Sequence, residues 1–162
     1  MQILKIVFLI VVCVLLGCSK IPSKRPADFG FILKYGFEMP KNVINTFEGS
    51  LTKDLIAAGD TTISFHFTEQ QLDAIYKIMI DISLLEYPDD YVPTERFLLM
   101  PRPRTEFTVK IGSQNKQVRW SGILNKDKDD GKRIGRLIDF IISTVDSTTA
   151  YKNLPEPKGG YF

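Results

Sequence analysis

Apolar side chains recur at every second position from Phe29 through Phe31, Leu33 and Tyr35 to Phe37, separated by Gly30, Ile32, Lys34 and Gly36. This is the two-residue period of a strand with one buried face. Glu38 to Asn42 reads as a turn, because Pro40 cannot sit in a central ladder and Asn42 tolerates left-handed backbone angles. A second strand is expected from Val43 to about Leu55, with Val43, Phe47 and Leu51 on one side. After a turn at Ala57–Asp60, Thr61–Phe67 alternates again, with Ile63, Phe65 and Phe67 inward and Thr62, Ser64 and His66 outward.

The period then lengthens. Thr68-Glu69-Gln70-Gln71 is a capping-box sequence, in which each of the two side chains accepts from the other's backbone N–H. Behind it Leu72, Ile75, Met79, Ile82 and Leu85 recur at helical spacing, and the helix is expected to end before Pro88. Pro88 to Pro103 carries prolines at 88, 93, 101 and 103 and reads as a long loop, a length that inside a compact domain is often functional. Thr105–Ile111 and Lys116–Ser121 form a hairpin around Gly112-Ser113-Gln114-Asn115, with Phe107, Val109, Ile111, Val118 and Trp120 inward. The acidic run Asp127–Asp130 suits the partial positive charge of a helix N-terminus. It introduces a second amphipathic helix, whose stripe is Ile134, Leu137, Ile138, Ile141 and Val145. The order β-β-β-α-β-β-α, with short turns between strands, predicts an α+β domain over residues 28–150. Its core is an antiparallel sheet of about five strands with two helices packed on one face. Residues 151–162 read as an irregular tail.

Ahead of the domain the pattern changes. Lys5 precedes an apolar run of eleven residues, Ile6 to Leu16, too short for a permanent span, which needs roughly 20. Residues 1–17 therefore read as a signal peptide. Residues 18–27, with two prolines and three basic side chains, read as an extended, mobile tether. Its Lys20, Lys24 and Arg25 are suited to anionic headgroups, at about 1 kcal/mol each.

Composition narrows the function classes. A chain of 162 residues, 44% hydrophobic and 25% charged, is neither disordered, collagen-like nor polytopic. A net charge of +2 lacks the basic stripe expected of a nucleic-acid binder. Charge is unevenly spread: Asp28–Glu95 holds twelve acidic and four basic residues, Arg96–Phe162 thirteen basic and seven acidic. Either the halves neutralise each other in the fold, or Arg96, Arg102 and Arg104, beside the apolar run Phe97–Met100, form a loop that meets a partner.

Catalytic signatures are missing. His66 is the single histidine, and nothing stands near it at nucleophile-elbow or metal-ligand spacing. Asn125-Lys-Asp127-Lys-Asp129-Asp130-Gly131 fails as a calcium loop, since Asp130 falls where glycine must turn the chain and Arg136 where a bidentate glutamate should close the site. Gly131-Lys132 lacks the upstream glycine of a phosphate loop. Asp89, Asp90 and Glu95 are sequence neighbours in a proline-rich loop, a weak basis for a carboxylate-based hydrolase. No catalytic, cofactor-binding or metal-binding residue is assigned, and the chain is expected not to be an enzyme.

Two resemblances add to this reading. Leu15-Leu16-Gly17-Cys18 resembles the lipobox of bacterial lipoproteins. It implies cleavage between Gly17 and Cys18 and a diacylglycerol on the Cys18 sulfur, chemistry that draws on a nucleophilic thiolate. Cys13 would leave with the signal. Two acyl chains anchor firmly where one does not. Ser19 resembles the outer-membrane sorting pattern, and the tether lacks the acidic cluster of some surface-exported lipoproteins. The expected location is thus the cell membrane or outer membrane, with the domain outside the cytoplasm and facing the periplasm in a two-membrane cell. The domain itself resembles a group of small bacterial lipoproteins of unknown function. The likeness lies in Tyr35-Gly36, Lys41-Asn42, Asn45-Thr46-Phe47-x-Gly49, Lys53-Asp54, Tyr87-Pro88-Asp89 and Val118-x-Trp120, and it brings no activity. Asn45, Thr46, Lys53 and Asp54 are expected on a solvent-facing edge. The leading expectation is a membrane-anchored interaction module whose partners are the bilayer, through Cys18, and another envelope protein, met by Arg96, Phe97, Arg102 and Arg104. The alternative is a small-ligand or lipid-binding module with an apolar cavity between sheet and helices.

Overall fold

A computed structural model of the chain describes residues 21–93 and 100–161. The expected signal peptide, Gly17 and Cys18, and the loop residues Arg96 and Phe97 lie outside the described residues. The domain is α+β. Strands β1 (Gly30–Phe37), β2 (Asn42–Asn45), β3 (Ser50–Asp54), β4 (Asp60–Ser64), β5 (Pro103–Ile111) and β6 (Gln114–Ser121) form one sheet in the order β4-β3-β2-β1-β5-β6. Every neighbouring pair is antiparallel. Helices α1 (Glu69–Asp81) and α2 (Asp129–Asp146), a 3-10 turn at Leu84–Glu86 and a short helix α3 (Thr149–Lys152) complete the order.

Register explains the core. Ile63, Leu51, Ile44, Leu33, Phe107 and Val118 stand in one row across all six strands. The row is buried except for the half-buried Ile63 at the edge. Ile75 and Met79 of α1 and Ile134, Leu137 and Ile141 of α2 are buried in the same cluster. Each such side chain contributes about 1.5–3 kcal/mol of burial. The next row on the opposite face, Thr62, Thr52, Val43, Lys34, Glu106 and Arg119, is exposed or half-buried. One face of the sheet therefore carries the helices and the other faces solvent.

Several expectations are corrected. Val43–Leu55 is two strands, not one, so the sheet has six strands. The break is chemical: the Asn45 Oδ1 accepts from the N–H groups of Phe47 and Glu48 at 3.0 and 3.3 Å. The Thr46 hydroxyl accepts from the Phe31 N–H and donates to its carbonyl. Gly49, at φ +60°, takes the left-handed turn that a side chain resists. Phe47 is thus half exposed, its ring lying over Gly30 rather than beside Leu51. Helix α1 carries the expected capping box but ends at Asp81, because Ser83 turns left-handed at φ 52° and Leu84 buries through a 3-10 turn. Tyr151 and Lys152, assigned to the irregular tail, belong to α3.

The described part of the expected tether is docked. Ile21 packs against the core, the Tyr76 hydroxyl donates to the Pro22 carbonyl at 2.6 Å, and Arg25 pairs with Glu69 and Asp73 of α1. Because Tyr76 meets the Phe29 ring at 5.1 Å, the chain enters at the end of the sheet where β1 begins. We call this the near end; it also holds the β2–β3 and β5–β6 turns. The far end holds the β1–β2 and β3–β4 turns, the start of β5 and the finish of β6.

Candidate functional site

The far end collects exposed apolar side chains. Phe37 and Met39 come from the end of β1 and its turn, Met100 from the run into β5, and Ile123 from the chain leaving β6; Met39 and Met100 are each 76% exposed. The pairing of Phe37 with Pro103 and of Arg104 with Ser121 brings these segments together. Arg102 and Arg104 stand among them. The Arg102 N–H donates to the Glu38 Oε1 at 2.8 Å, its carbonyl accepts from the Glu38 N–H at 2.9 Å, and the Arg104 Nη1 donates to the Glu38 carbonyl at 3.4 Å. Among the described residues no carboxylate pairs with either guanidinium. A cleft of about 150 Å³ lies between Glu38, Arg102, Arg104 and Ser121.

One row inward, the far end of the core is polar. Thr61 pairs with Lys53, Tyr35 with Asn42 and Thr105, and Thr105 with Trp120. Lys53 and Asp54, expected on a solvent-facing edge, are buried, at 6% and 5% exposure. The Lys53 ammonium lies 4.9 Å from the centre of the Tyr151 ring and 3.7 Å from the exposed carboxylate of Glu156. Asp54 accepts from the Ile56 N–H at 2.9 Å and from the Tyr161 hydroxyl. Burial holds the Tyr35 and Tyr151 hydroxyls above the ordinary phenol range, with the charge of Asp146 adding to both. Burial pushes the Asp146 carboxyl up against the opposing pull of Lys53. The Tyr161 phenol is pushed up to about 12 by burial and by its bond to Asp54.

Other sequence candidates are placed as follows. His66 is exposed, its ring over Gly49 and its Nε2 3.4 Å from the Ser64 hydroxyl. Asp89 pairs with Lys116 at 2.6 Å and Asp90 with Arg119; with Asp28–Lys110 these bonds tie the acidic first part of the domain to its basic second part. Among the described residues the two carboxyls with shifted titration do not converge. Asp90, lowered by its bond to Arg119, is at the β6 edge, whereas Asp146 faces Lys53 of β3, with three strands between. A cavity of about 280 Å³ opens between the β2–β3 turn and α1, lined by Ile44, Phe65, Phe67 and Leu72 with His66 and Glu69. It is just under the roughly 300 Å³ at which small-molecule sites begin, and Glu69 is already spent on Arg25.

Arg102 and Arg104 are thus exposed at one place, while Arg96 and Phe97 lie outside the described residues. The sequence reading missed Lys53, Asp146, Tyr151, Glu156 and Tyr161 as a group. One local signal was present: Lys53 has the same parity as Leu51 and Leu55. Among the described residues no helix is long and apolar enough to cross a membrane. No protein-family model matches the chain, and no curated protein matches it.

Proposed function

We propose that the chain is a lipid-anchored envelope protein, held through acylated Cys18, and that its domain is a non-catalytic interaction module contacting another envelope protein with the far end of the sheet. The observation that carries this reading is that Met39, Met100 and Ile123 stand exposed at the same end of the sheet as the exposed Arg102 and Arg104. Exposed apolar side chains beside guanidiniums that have no carboxylate partner among the described residues suit a partner whose apolar side chains are flanked by carboxylates. The patch also lies at the opposite end of the sheet from the docked Ile21–Arg25 segment, so a membrane on one side leaves it open on the other.

Two measurements test this. Cys18→Ser is expected to abolish metabolic lipid labelling and to release the domain from membranes; a variant that stays labelled would sink the anchor. Cross-linked capture of the tagged, lipidated chain is expected to yield one dominant protein. That protein should be lost when Met39→Glu is combined with Arg102→Glu and Arg104→Glu, and identical capture by parent and variant would remove the patch from the reading.

A further inference from the structure

The C-terminal segment is held on the far end by polar points rather than by burial. Residues 155–160 are exposed, yet Lys158 pairs in parallel with Ile56. Its N–H donates to the Leu55 carbonyl at 3.2 Å, and its carbonyl accepts from the Ala57 N–H at 3.0 Å. Ile56 sits at φ 58°, an outlier for a β-branched residue. The Ile56 N–H is satisfied by Asp54, which leaves the Leu55 carbonyl and Ala57 N–H presented to an extended chain. Asp54 also accepts from Tyr161, whose ring packs 5.3 Å from that of Phe37.

Beneath this bridge stands Lys53. Its side chain is 7% exposed, and among the described residues Glu156, itself 86% exposed, is the carboxylate within ion-pair distance. An ammonium carries three donors and is costly to bury without an anion. Here the ion-pairing anion is lent by a segment that buries little of itself, with the charge of Asp146 on α2 adding to it. Segments with few apolar contacts open at the low end of the stability range.

We propose that Lys53 and the β3–β4 turn form a recognition groove for an extended, carboxylate-bearing segment of a partner protein, and that residues 154–161 occupy this groove as a built-in competitor. The mode is strand addition, with one backbone bridge supplying the frame and side-chain pockets the selectivity: a carboxylate on Lys53 and a hydroxyl on Asp54. The covalent link gives the chain's own segment an effective concentration on the order of millimolar, so an incoming segment must displace it. The inference does not rest on the lipid anchor or on Arg102 and Arg104, although Tyr161 of the segment packs on Phe37 at the same end of the sheet.

The test uses a fluorescein-labelled peptide with the sequence of residues 154–161, titrated by anisotropy onto the full chain. The parent is compared with a full-chain Glu156→Gln/Tyr161→Phe variant, in which both polar side-chain holds on the segment are removed, the ring at 161 is kept against Phe37 and the helix–sheet core is left alone. The variant is expected to bind the peptide at least tenfold more tightly than the parent, and Lys53→Met added to it should remove that gain. A Glu156→Gln version of the peptide should bind at least tenfold more weakly, which keeps the charge test independent of any effect of Lys53→Met on folding. Hydrogen exchange at the Ala57 amide, read in parallel, should be faster in the variant. Unchanged exchange at Ala57, or accelerated exchange without tighter peptide binding, overturns the proposal. So does concentration-dependent dimerisation of the variant without peptide, which assigns the groove to a second copy of the chain.

Discussion

Asp146 shows how a single position reports on the balance in the polar row. It lies at the C-terminal end of α2, where burial raises its carboxyl pKa despite the nearby Lys53 charge. A carboxyl whose folded pKa exceeds its unfolded value, near 3.9, binds more protons in the folded state over the interval between the two. Stability therefore falls as pH rises through that interval, and the loss persists at neutral pH. Asp146→Asn imitates the protonated form. It is expected to raise the melting temperature at pH 7 and to leave it unchanged at pH 3, below both pKa values. A variant that melts lower at pH 7 would show that the pull of Lys53 outweighs burial. Lys53 itself is placed by strand parity and not by preference: on the inner face between Leu51 and Leu55 its ammonium goes toward Tyr151 and Glu156, with the charge of Asp146 nearby.

Helix α2 joins a pattern that is readable in sequence to one that is not. Its stripe of Ile134, Leu137, Ile138, Ile141 and Val145 is buried throughout, as its spacing predicts, because helical periodicity depends only on neighbours along the chain. Its two glycines look alike in sequence and differ in space. A Cβ on Gly131 would fall 2.2 Å from the Asn125 backbone carbonyl oxygen, whereas one on Gly135 meets only the Leu124 and Lys126 side chains at 3.6 Å. Alanine favours a helix by about 1 kcal/mol over glycine. Gly135→Ala is thus expected to stabilise the domain by about 0.5–1 kcal/mol, and Gly131→Ala to destabilise it by roughly 1–3 kcal/mol through overpacking. Urea denaturation checks both signs, and equal effects at the two positions would contradict the packing described. The same distinction separates the elements that were legible from those that were not. The β5–β6 hairpin and the capping box are local. The break between β2 and β3 depends on Thr46 reaching the Phe31 backbone, and the burial of Lys53 depends on a tail about a hundred residues further on. Arg102 and Arg104 were singled out in sequence with their exposure left open; their exposed apolar neighbours come to the same end only through the β1–β5–β6 register.

At the scale of the whole molecule, the docked segment before β1 would set how the domain sits under the proposed lipid anchor. Three residue steps separate Cys18 from Ile21, a reach of at most about 11 Å when fully extended. Ile21 and Pro22 are fixed beside Tyr76, whose ring touches Phe29 at the near end. The proposed acyl anchor on Cys18 would therefore bring the near end close to the bilayer, and the far end lies up to roughly 26 Å from the near end along the eight residues of β1 at about 3.3 Å each. On the proposed reading the Cys18 sulfur is acylated and Cys13 leaves with the signal, so that one introduced cysteine would give a single labelling site. Ser113→Cys in the β5–β6 turn and Met39→Cys in the β1–β2 turn mark the two ends at exposed positions. In vesicles containing nitroxide-labelled lipid, a fluorophore at 113 is expected to be quenched markedly more than one at 39. Replacing Arg25 by alanine together with Tyr76 by phenylalanine removes the bonds to Glu69, Asp73 and the Pro22 carbonyl, loosens the segment, and should bring the two readings closer together. Equal quenching in the parent would mean that the Arg25 contacts do not orient the domain, and the far-end patch would then lose its geometric advantage as the surface that meets a partner.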